Sequence, residues 1–212
     1  MAALTPDRPL PYAMKVRPDC AQLFILYTGM AGKLMIPPMQ FIEATRIVDR
    51  NLIILRDLNK CCYQRGVSVD IPDIPQFLQW QSDTVNKLTH VREVYCIGSS
   101  GGAYAALLSG HWLKAVKVWA FAPPVPVRTS EWVPYVDSRF NDLSLVLKQS
   151  NEVSQYGLYY NHSEVPDREA AEKLQDAPGV TLFPQAGQGH GVVGQMAKNA
   201  QLTDLLPKFV GC

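Results

Sequence analysis

Along most of the chain, short runs of consecutive apolar residues alternate with longer segments in which apolar residues recur every three or four positions. A run that is apolar throughout is typical of a strand buried on both faces of a parallel sheet, and the longer pattern is typical of an amphipathic helix. The predicted strands cover residues 23–27, 52–55, 94–97, 116–121, 156–160 and 180–183, and the predicted helices cover roughly residues 39–48, 74–88, 103–112, 167–174 and 192–206. This alternation predicts an α/β fold, in which a mainly parallel central sheet carries helices on both faces.

The order of these elements also predicts where a ligand would bind. In an open parallel sheet, ligands bind beyond the carboxyl ends of the strands. The residues expected at that edge are Gly29, Asp57, Ser100, Pro123, Asn161 and the loop before His190. Because Asp57 follows an early strand of the chain, we expect it to stabilise a loop or contact the substrate and not to belong to a catalytic triad.

The length of 212 residues is typical of a single domain, which we expect to span residues 1–212. The least regular segment is 124–155, in which aromatic residues lie among polar ones. It is expected to form either a small cap over the site or a loop with a helix packed on the sheet.

Composition and charge exclude several classes of function. Hydrophobic residues make up 47% of the chain and charged residues 18%, and the net charge is +1 at pH 7. A charge this small does not recruit nucleic acid or an anionic membrane surface. No segment approaches the ~18 consecutive apolar residues of a membrane span, and the first residues lack the apolar core of a secretory signal. We therefore expect a cytoplasmic protein that binds no nucleic acid and does not span a membrane.

The cysteines predict neither a disulfide framework nor a metal site. They are Cys20, Cys61, Cys62, Cys96 and Cys212. Their odd number, the adjacent pair and the position of one of them inside a predicted strand argue against paired disulfides. Their spacing also lacks the short paired intervals of a zinc site. Reduced, mostly buried thiols are expected.

A candidate nucleophile lies between a predicted strand and a predicted helix. The run Gly98-Ser99-Ser100-Gly101-Gly102 fits the pattern G-x-S-x-G with Ser100 at its centre. In such a turn small residues flank the serine so that its hydroxyl can project from a sharp strand-to-helix bend. The alternative is a tight turn that binds a phosphate or nothing. The apolar strand before Gly98 and the alanine-rich helix after Gly102 favour the nucleophile.

A candidate base and a candidate acid follow later in the chain. His190 lies in a glycine-rich loop after the last predicted strand, where an imidazole can reach a nucleophile at the same sheet edge. The acid is expected after the strand 156–160, where Asp167 is the preferred candidate and Glu164 the alternative. Asp167 also precedes a helical pattern, so its competing role is that of a helix N-cap.

Two backbone amides are candidates for an oxyanion hole. The turn after the strand 23–27 contains Gly29, which lets the chain pass close to the site, followed by Met30. The amide of Met30 and that of Gly101, next to the nucleophile, would donate to an oxygen that becomes negative during acyl transfer. The alternative is a glycine-rich turn that serves only chain topology.

With these parts in this order, the chain resembles the α/β-hydrolase superfamily, and more narrowly its compact bacterial members with little or no cap. The resemblance implies a serine hydrolase in which Ser100, His190 and Asp167 form the triad and the amides of Met30 and Gly101 form the oxyanion hole. The chain departs from the common pattern because Thr28-Gly29 replaces His-Gly and the usual Asp-x-x-Val-Pro arrangement after the sixth strand is missing. Only residues 12–16 are available for a strand before residue 23, which implies a shortened sheet.

The sequence therefore predicts hydrolysis of a carboxylic ester or thioester through an acyl-enzyme, without metal or organic cofactor. The expected partner is a small-molecule acyl substrate, free or carrier-bound. Two other functions use the same framework. One is a non-catalytic binding or scaffold protein, and the other is an acyltransferase or cyclising thioesterase that excludes water.

Overall fold

A computed structural model describes residues 10–131, 133, 135–149 and 153–206 of the chain. Within these residues a seven-stranded sheet has the order β1-β3-β2-β4-β5-β6-β7. β1 pairs antiparallel with β3, and every other pair of neighbours is parallel. The predicted mainly parallel α/β sheet is confirmed.

The strands lie close to the predicted apolar runs. They are β1 Tyr12–Lys15, β2 Gln22–Tyr27, β3 Asn51–Leu55, β4 Glu93–Ser99, β5 Lys117–Phe121, β6 Gln155–Asn161 and β7 Val180–Gln185. The helices are α1 Pro38–Ala44, α2 Ile74–Lys87, α3 Gly101–Trp112, α4 Leu143–Leu147, α5 Val165–Glu172 and α6 Val192–Lys198.

Alternate residues of the central strands enter two separate cores. In β2, Leu23 and Ile25 pack on one face and Phe24 and Leu26 on the other, and all four are buried. The first core also contains residues of α2, α3, α4 and α5, and the second contains residues of α1 and α6. A strand with apolar residues on both faces is stable only where helices cover both, which is why these runs show no polar alternation.

The two edge strands differ from this pattern. All four residues of β1 are exposed, and β7 alternates between exposed and half-buried residues. Because each edge strand has only one neighbour, its outer side is not covered by another strand. The prediction of full burial on both faces is therefore wrong for residues 180–183.

Several helix boundaries differ from the prediction. The helix predicted at 167–174 begins two residues earlier, at Val165, with a proline in its first turn. Proline fits there because the first amides of a helix have no intrahelical acceptor. The helix predicted at 192–206 ends at Lys198, where the chain continues in turns.

The described part of segment 124–155 packs on the body of the protein. Val125, Val127, Leu143 and Leu147 are buried in the first core, and α4 contacts α3. Residues 132, 134 and 150–152 of this segment lie outside the described residues.

Cys20 is disulfide-bonded, so the prediction of reduced thiols is wrong at this position. The odd number of cysteines and the lack of a short paired spacing give no sign of this bond, which is why the sequence predicts reduced thiols. The free thiols of Cys61, Cys62 and Cys96 are buried, as expected. Burial raises the pKa of Cys96 to about 12.

No helix among the described residues is both long and apolar enough to cross a membrane.

Candidate active site

Ser100 lies at the sharp bend between β4 and α3. Its φ of 53° and ψ of −128° are unusual for a residue with a side chain, and such strain costs on the order of 1–3 kcal/mol. Its amide donates to the carbonyl of Phe121 at the end of β5, at 2.8 Å. The side chain makes no capping hydrogen bond to α3. The bend is thus held by the backbone, and the hydroxyl is not used to stabilise the helix.

Glycines on either side of Ser100 are required by close backbone contacts. A Cβ at Gly98 would lie 2.1 Å from the carbonyl oxygen of Gly102, and a Cβ at Gly102 would lie 2.1 Å from the carbonyl oxygen of Tyr27. Real Cβ atoms do not come this close to backbone, so α3 can start against β2 only with glycine at these positions. The spacing of the motif is therefore dictated by packing.

His190 and Asp167 are in direct contact. The imidazole Nδ1 lies 2.9 Å from both carboxylate oxygens of Asp167. Asp167 is buried in the first turn of α5, whereas the His190 side chain is 49% exposed. The hydrogen bond with Asp167 raises the pKa of His190, while burial opposes this effect. When a carboxylate binds the Nδ1 of an imidazole, the Nε2 stays available to accept a proton from another group.

The two candidate acids have different roles. Glu164 is the N-cap of α5 but its side chain makes no capping hydrogen bond. Its charge contributes to raising the pKa of His190, after the larger contribution of Asp167. Asp167 does not cap the helix, because the helix begins before it. The carboxylate that touches the imidazole is that of Asp167.

Ser100 and His190 lie at the same edge of the sheet. Ser100 follows β4, and the loop with His190 follows β7, whose parallel neighbours connect it to β4 through β5 and β6. Within the described residues, the hydrogen-bond partner of the imidazole is Asp167, and Ser100 Oγ is not one. Catalytic hydrogen bonds are often long without bound substrate and shorten when the substrate is in place.

Three side chains hold the loop that leads into His190. Asn161 Nδ2 donates to the carbonyl of Gly189 at 2.6 Å, and Ser163 Oγ donates to that of Gly187 at 2.6 Å. Gln195 Nε2 donates to the carbonyl of Gln188, also at 2.6 Å. Each of the three residues before His190 therefore has its carbonyl bound to a side chain from outside the loop, at the end of β6, just after it or in α6.

Asn161 is the most constrained of these three residues. It is the last residue of β6 and is fully buried. Its Oδ1 has no hydrogen-bond partner among the described residues, so the observed contacts of this amide are those to the His190 loop. Sequence reasoning placed Asn161 at the ligand-binding edge but did not reveal this role, because the contact joins residues far apart in the chain.

The turn predicted to supply an oxyanion donor lies against the bend at Ser100. A Cβ at Gly29 would lie 3.1 Å from the carbonyl oxygen of Ser99 and 3.4 Å from the Cβ of Ser100. Among the described residues, the amide of Met30 donates to no hydrogen bond. Gly101 is the first residue of α3, so its amide has no intrahelical acceptor. Both amides are thus unengaged close to Ser100.

Asp57 organises the loop that packs against Gly101, next to Ser100. It is 4% exposed, and its carboxylate accepts the amide of Tyr63 at 3.3 Å. Burial raises the pKa of Asp57, partly offset by backbone amides that donate to it. The loop it organises brings Cys62 against Gly101, where a Cβ at position 101 would lie 2.8 Å from Cys62 Sγ. Asp57 therefore has the loop-structural role expected as one of its alternatives.

A cleft of about 320 Å³ opens beside His190 and Asp167. One wall is the loop after β5, and the other is α5. Among the described residues, no group of three or more histidine, cysteine, aspartate or glutamate side chains is arranged to hold a metal ion.

Solved structures of other proteins share this architecture. Est1E from Butyrivibrio proteoclasticus is 11% identical, with 90% of each chain covered and a TM-score of 0.59. The esterase domain of a Rhodothermus marinus protein is 12% identical, with 89% of this chain and 85% of that chain covered and a TM-score of 0.60. A structure from work on the carboxylesterases of Nitrososphaera gargenis is 9% identical, with 90% of each chain covered and a TM-score of 0.62.

The chain has the α/β-hydrolase fold. No protein-family model and no curated protein matches its sequence. At identities of 9–12% the structural similarity establishes the fold alone. A function for this α/β-hydrolase-fold protein has to be argued from its own residues.

Proposed function

We propose that the protein is a serine hydrolase that cleaves a carboxylic ester or thioester through an acyl-enzyme. The observation that carries this proposal is the contact between His190 Nδ1 and both oxygens of Asp167 at 2.9 Å. This pair lies at the sheet edge where Ser100 occupies a left-handed bend. A hydroxyl freed from capping and a carboxylate-oriented imidazole are the parts that covalent acyl transfer needs.

In the acylation step, Ser100 Oγ attacks the carbonyl carbon of the substrate. The Oγ proton passes to His190 Nε2, and the carbonyl π electrons move to the oxygen, which becomes an oxyanion. The tetrahedral intermediate then collapses, the bond between carbon and the leaving oxygen or sulfur breaks, and the leaving group takes the proton from Nε2. The product is an ester of Ser100.

In the deacylation step, water repeats the same sequence. It attacks the acyl carbon while His190 accepts its proton, and Ser100 Oγ leaves and recovers a proton from the imidazole. The carboxylic acid is released and the enzyme returns to its starting state. These steps need neither a metal ion nor an organic cofactor.

The supporting groups have distinct tasks in this reaction. Asp167 accepts the proton of Nδ1, which fixes the tautomer and stabilises the imidazolium that forms. The amides of Met30 and Gly101 donate to the oxyanion, and the loss of one such donor typically costs about 3 kcal/mol of barrier. The free state of both amides supports this role.

The proposal is tested with a panel of p-nitrophenyl esters from acetate to palmitate, together with acyl-CoA thioesters of the same lengths. Turnover that is lost in Ser100→Ala is expected for at least one chain length. Ser144→Ala, in α4, removes a serine hydroxyl away from the site and is the matched control. The absence of turnover in the folded wild type, or turnover that persists in Ser100→Ala, would contradict the proposal.

A further inference from the structure

The cleft beside His190 has one apolar wall and one charged rim. The loop after β5 contributes Pro123, Pro124, Val125 and Pro126, and this wall is rigid because proline fixes its backbone angle. The opposite wall is the exposed side of α5 together with Asp167 and His190. A volume of about 320 Å³ is at the small end of the range for ligand sites, so the cleft fits a group the size of an aromatic ring with its substituent.

Two cations on this rim have no partner among the residues that the structure describes. Arg128 ends the apolar wall and Lys173 follows α5, and both line the cleft and are exposed. In the described part of the chain, neither side chain forms an ion pair or a hydrogen bond. The acidic residues that line the cleft are Asp167, which is engaged with His190, and Glu169. Because Asp167 is engaged, the two cations outnumber the carboxylate of Glu169, and the net charge on the rim is positive.

The cleft is placed to receive one side of the substrate. His190 lines it, whereas Ser100 does not. In acyl transfer the acyl group is attached to the serine, and the departing alcohol or thiol receives its proton from the imidazole. The group next to the imidazole and away from the serine is therefore the leaving group.

From these observations we propose that the cleft binds the leaving group and that Arg128 and Lys173 select one that carries a carboxylate or a phosphate. The apolar wall contacts the body of the leaving group, and the two cations contact its anionic end. This inference rests on the proposed function and specifies the substrate class of the same site.

The test compares pairs of esters of similar size and shape, one anionic and one neutral, and each rate is divided by that of alkaline hydrolysis of the same ester. For the leaving group, 4-carboxyphenyl acetate is compared with 4-carbamoylphenyl acetate. For the acyl group, the p-nitrophenyl monoester of adipic acid is compared with the p-nitrophenyl ester of adipamic acid. Each exposed cation is expected to favour the anionic leaving group about three- to fivefold in kcat/KM, which is the size of an exposed ion pair. No preference is expected for the anionic acyl group.

Arg128→Gln and Lys173→Gln are each expected to lower the leaving-group preference by that factor, because each variant removes a cation that only the anionic leaving group can pair with. Lys87→Gln is the matched control, because Lys87 ends α2 before β4 begins and so lies at the opposite edge of the sheet. Raising the ionic strength to about 0.5 M is also expected to reduce the preference, since salt screens exposed charges.

The outcomes separate this inference from the proposed function. Ser100-dependent turnover of both leaving-group esters at equal rates, or a preference that survives both substitutions, would overturn the inference and leave the hydrolase proposal intact. A preference confined to the anionic acyl group would overturn the assignment of the cleft to the leaving group. Failure of every ester to show Ser100-dependent turnover would remove the proposed function and the inference with it.

Discussion

The bend at Ser100 and the loop at His190 are held in place by different means. The bend is fixed by backbone contacts: Ser100 is hydrogen-bonded to β5, and Gly98 and Gly102 leave no space for a Cβ. The His190 loop is held by side chains, with Asn161, Ser163 and Gln195 each bound to one of its carbonyls. Asp167 then fixes the imidazole itself.

This difference predicts how each region responds to change. Where the backbone is packed too closely for a Cβ, any larger residue forces the strand and the helix apart. Substitutions of Gly98 or Gly102 should therefore reduce stability and activity together. A set of separate side-chain hydrogen bonds can lose one member at a time, so substitutions around the His190 loop should lower activity in steps. The position of the proposed nucleophile thus depends on backbone packing, and the position of the proposed base depends on several separate side-chain hydrogen bonds.

The largest effect is expected at the bend. In Gly102→Ala the new methyl group would lie 2.1 Å from the carbonyl oxygen of Tyr27, so β2 and α3 must separate. We expect a loss of about 3 kcal/mol in the free energy of unfolding, as for an overpacked core, and no measurable ester turnover. Chemical denaturation and an ester assay measure both.

Gly191→Ala is the control for that substitution, since a Cβ at Gly191 would have no atom within 4 Å and its φ is negative. Its stability should stay within about 0.5 kcal/mol of the wild type. Equal stability of the two variants would show that the bend is not set by close backbone contact.

The next largest effect is expected at the acid. Asp167→Asn would put an amide against His190 Nδ1 and favour the wrong tautomer, so kcat should fall by roughly 10³–10⁴-fold. Glu164→Gln should change kcat by less than about twofold, because Glu164 is half-buried, makes no hydrogen bond to the imidazole and acts on it only through its charge. Steady-state kinetics on the same ester tests both variants. An active Asp167→Asn with an inactive, folded Glu164→Gln would reverse the assignment.

A smaller effect is expected from the side chains behind the loop. Asn161→Ala removes the amide that donates to the carbonyl of Gly189, and a hydrogen bond of this kind contributes about 0.5–1.5 kcal/mol. We expect kcat to fall about tenfold with KM nearly unchanged, because a misplaced base affects the chemical step and not ground-state binding. Ser163→Ala is expected to have a smaller effect, since Ser163 is exposed and water can replace its hydroxyl. Equal activity of all three proteins would mean that Asn161 has no positioning role.

The smallest effect concerns pH. The carboxylate of Asp167 stabilises the imidazolium and raises the pKa of His190, so the acid limb of kcat/KM against pH should have its midpoint above the ordinary value of about 6.5. The same contact stabilises the fold below the unfolded pKa, and this contribution is lost as the pH rises through the folded pKa. In Asp167→Asn the midpoint measured on the residual activity should move to lower pH. A midpoint that moves upward would show that the Asp167 carboxylate does not raise the pKa of His190.

The sheet and the bend could be predicted from the sequence because local pattern determines them. Strands such as β2 are apolar nearly throughout, and the glycines around Ser100 form a short motif that is recognisable between one strand and the next helix. The short helix α4 was not located, because a five-residue helix leaves too little periodicity to detect. The start of α5 was misplaced because Glu164 caps it without a side-chain hydrogen bond.

The contacts around the His190 loop could not be predicted in the same way. Asn161 and Gly189 lie 28 positions apart, and an asparagine at the end of a strand usually indicates only a turn. The cleft is formed by the loop after β5 and by α5, so the approach of Arg128 and Lys173 is visible only when the sheet order is known. Asp167 and His190 could be paired from their order along the chain, whereas the contacts of Asn161 and the two cations belong to no motif.

The central claim is that Ser100 is a nucleophile activated by His190, and reaction with a fluorophosphonate tests it most directly. Intact-mass and peptide analysis should show one adduct, on Ser100, in the wild type and none in Ser100→Ala. In His190→Ala the labelling rate should fall about 10³-fold, the usual contribution of a general base. No adduct on the folded wild type, an adduct on another residue, or His190→Ala labelled at the wild-type rate would contradict the claim.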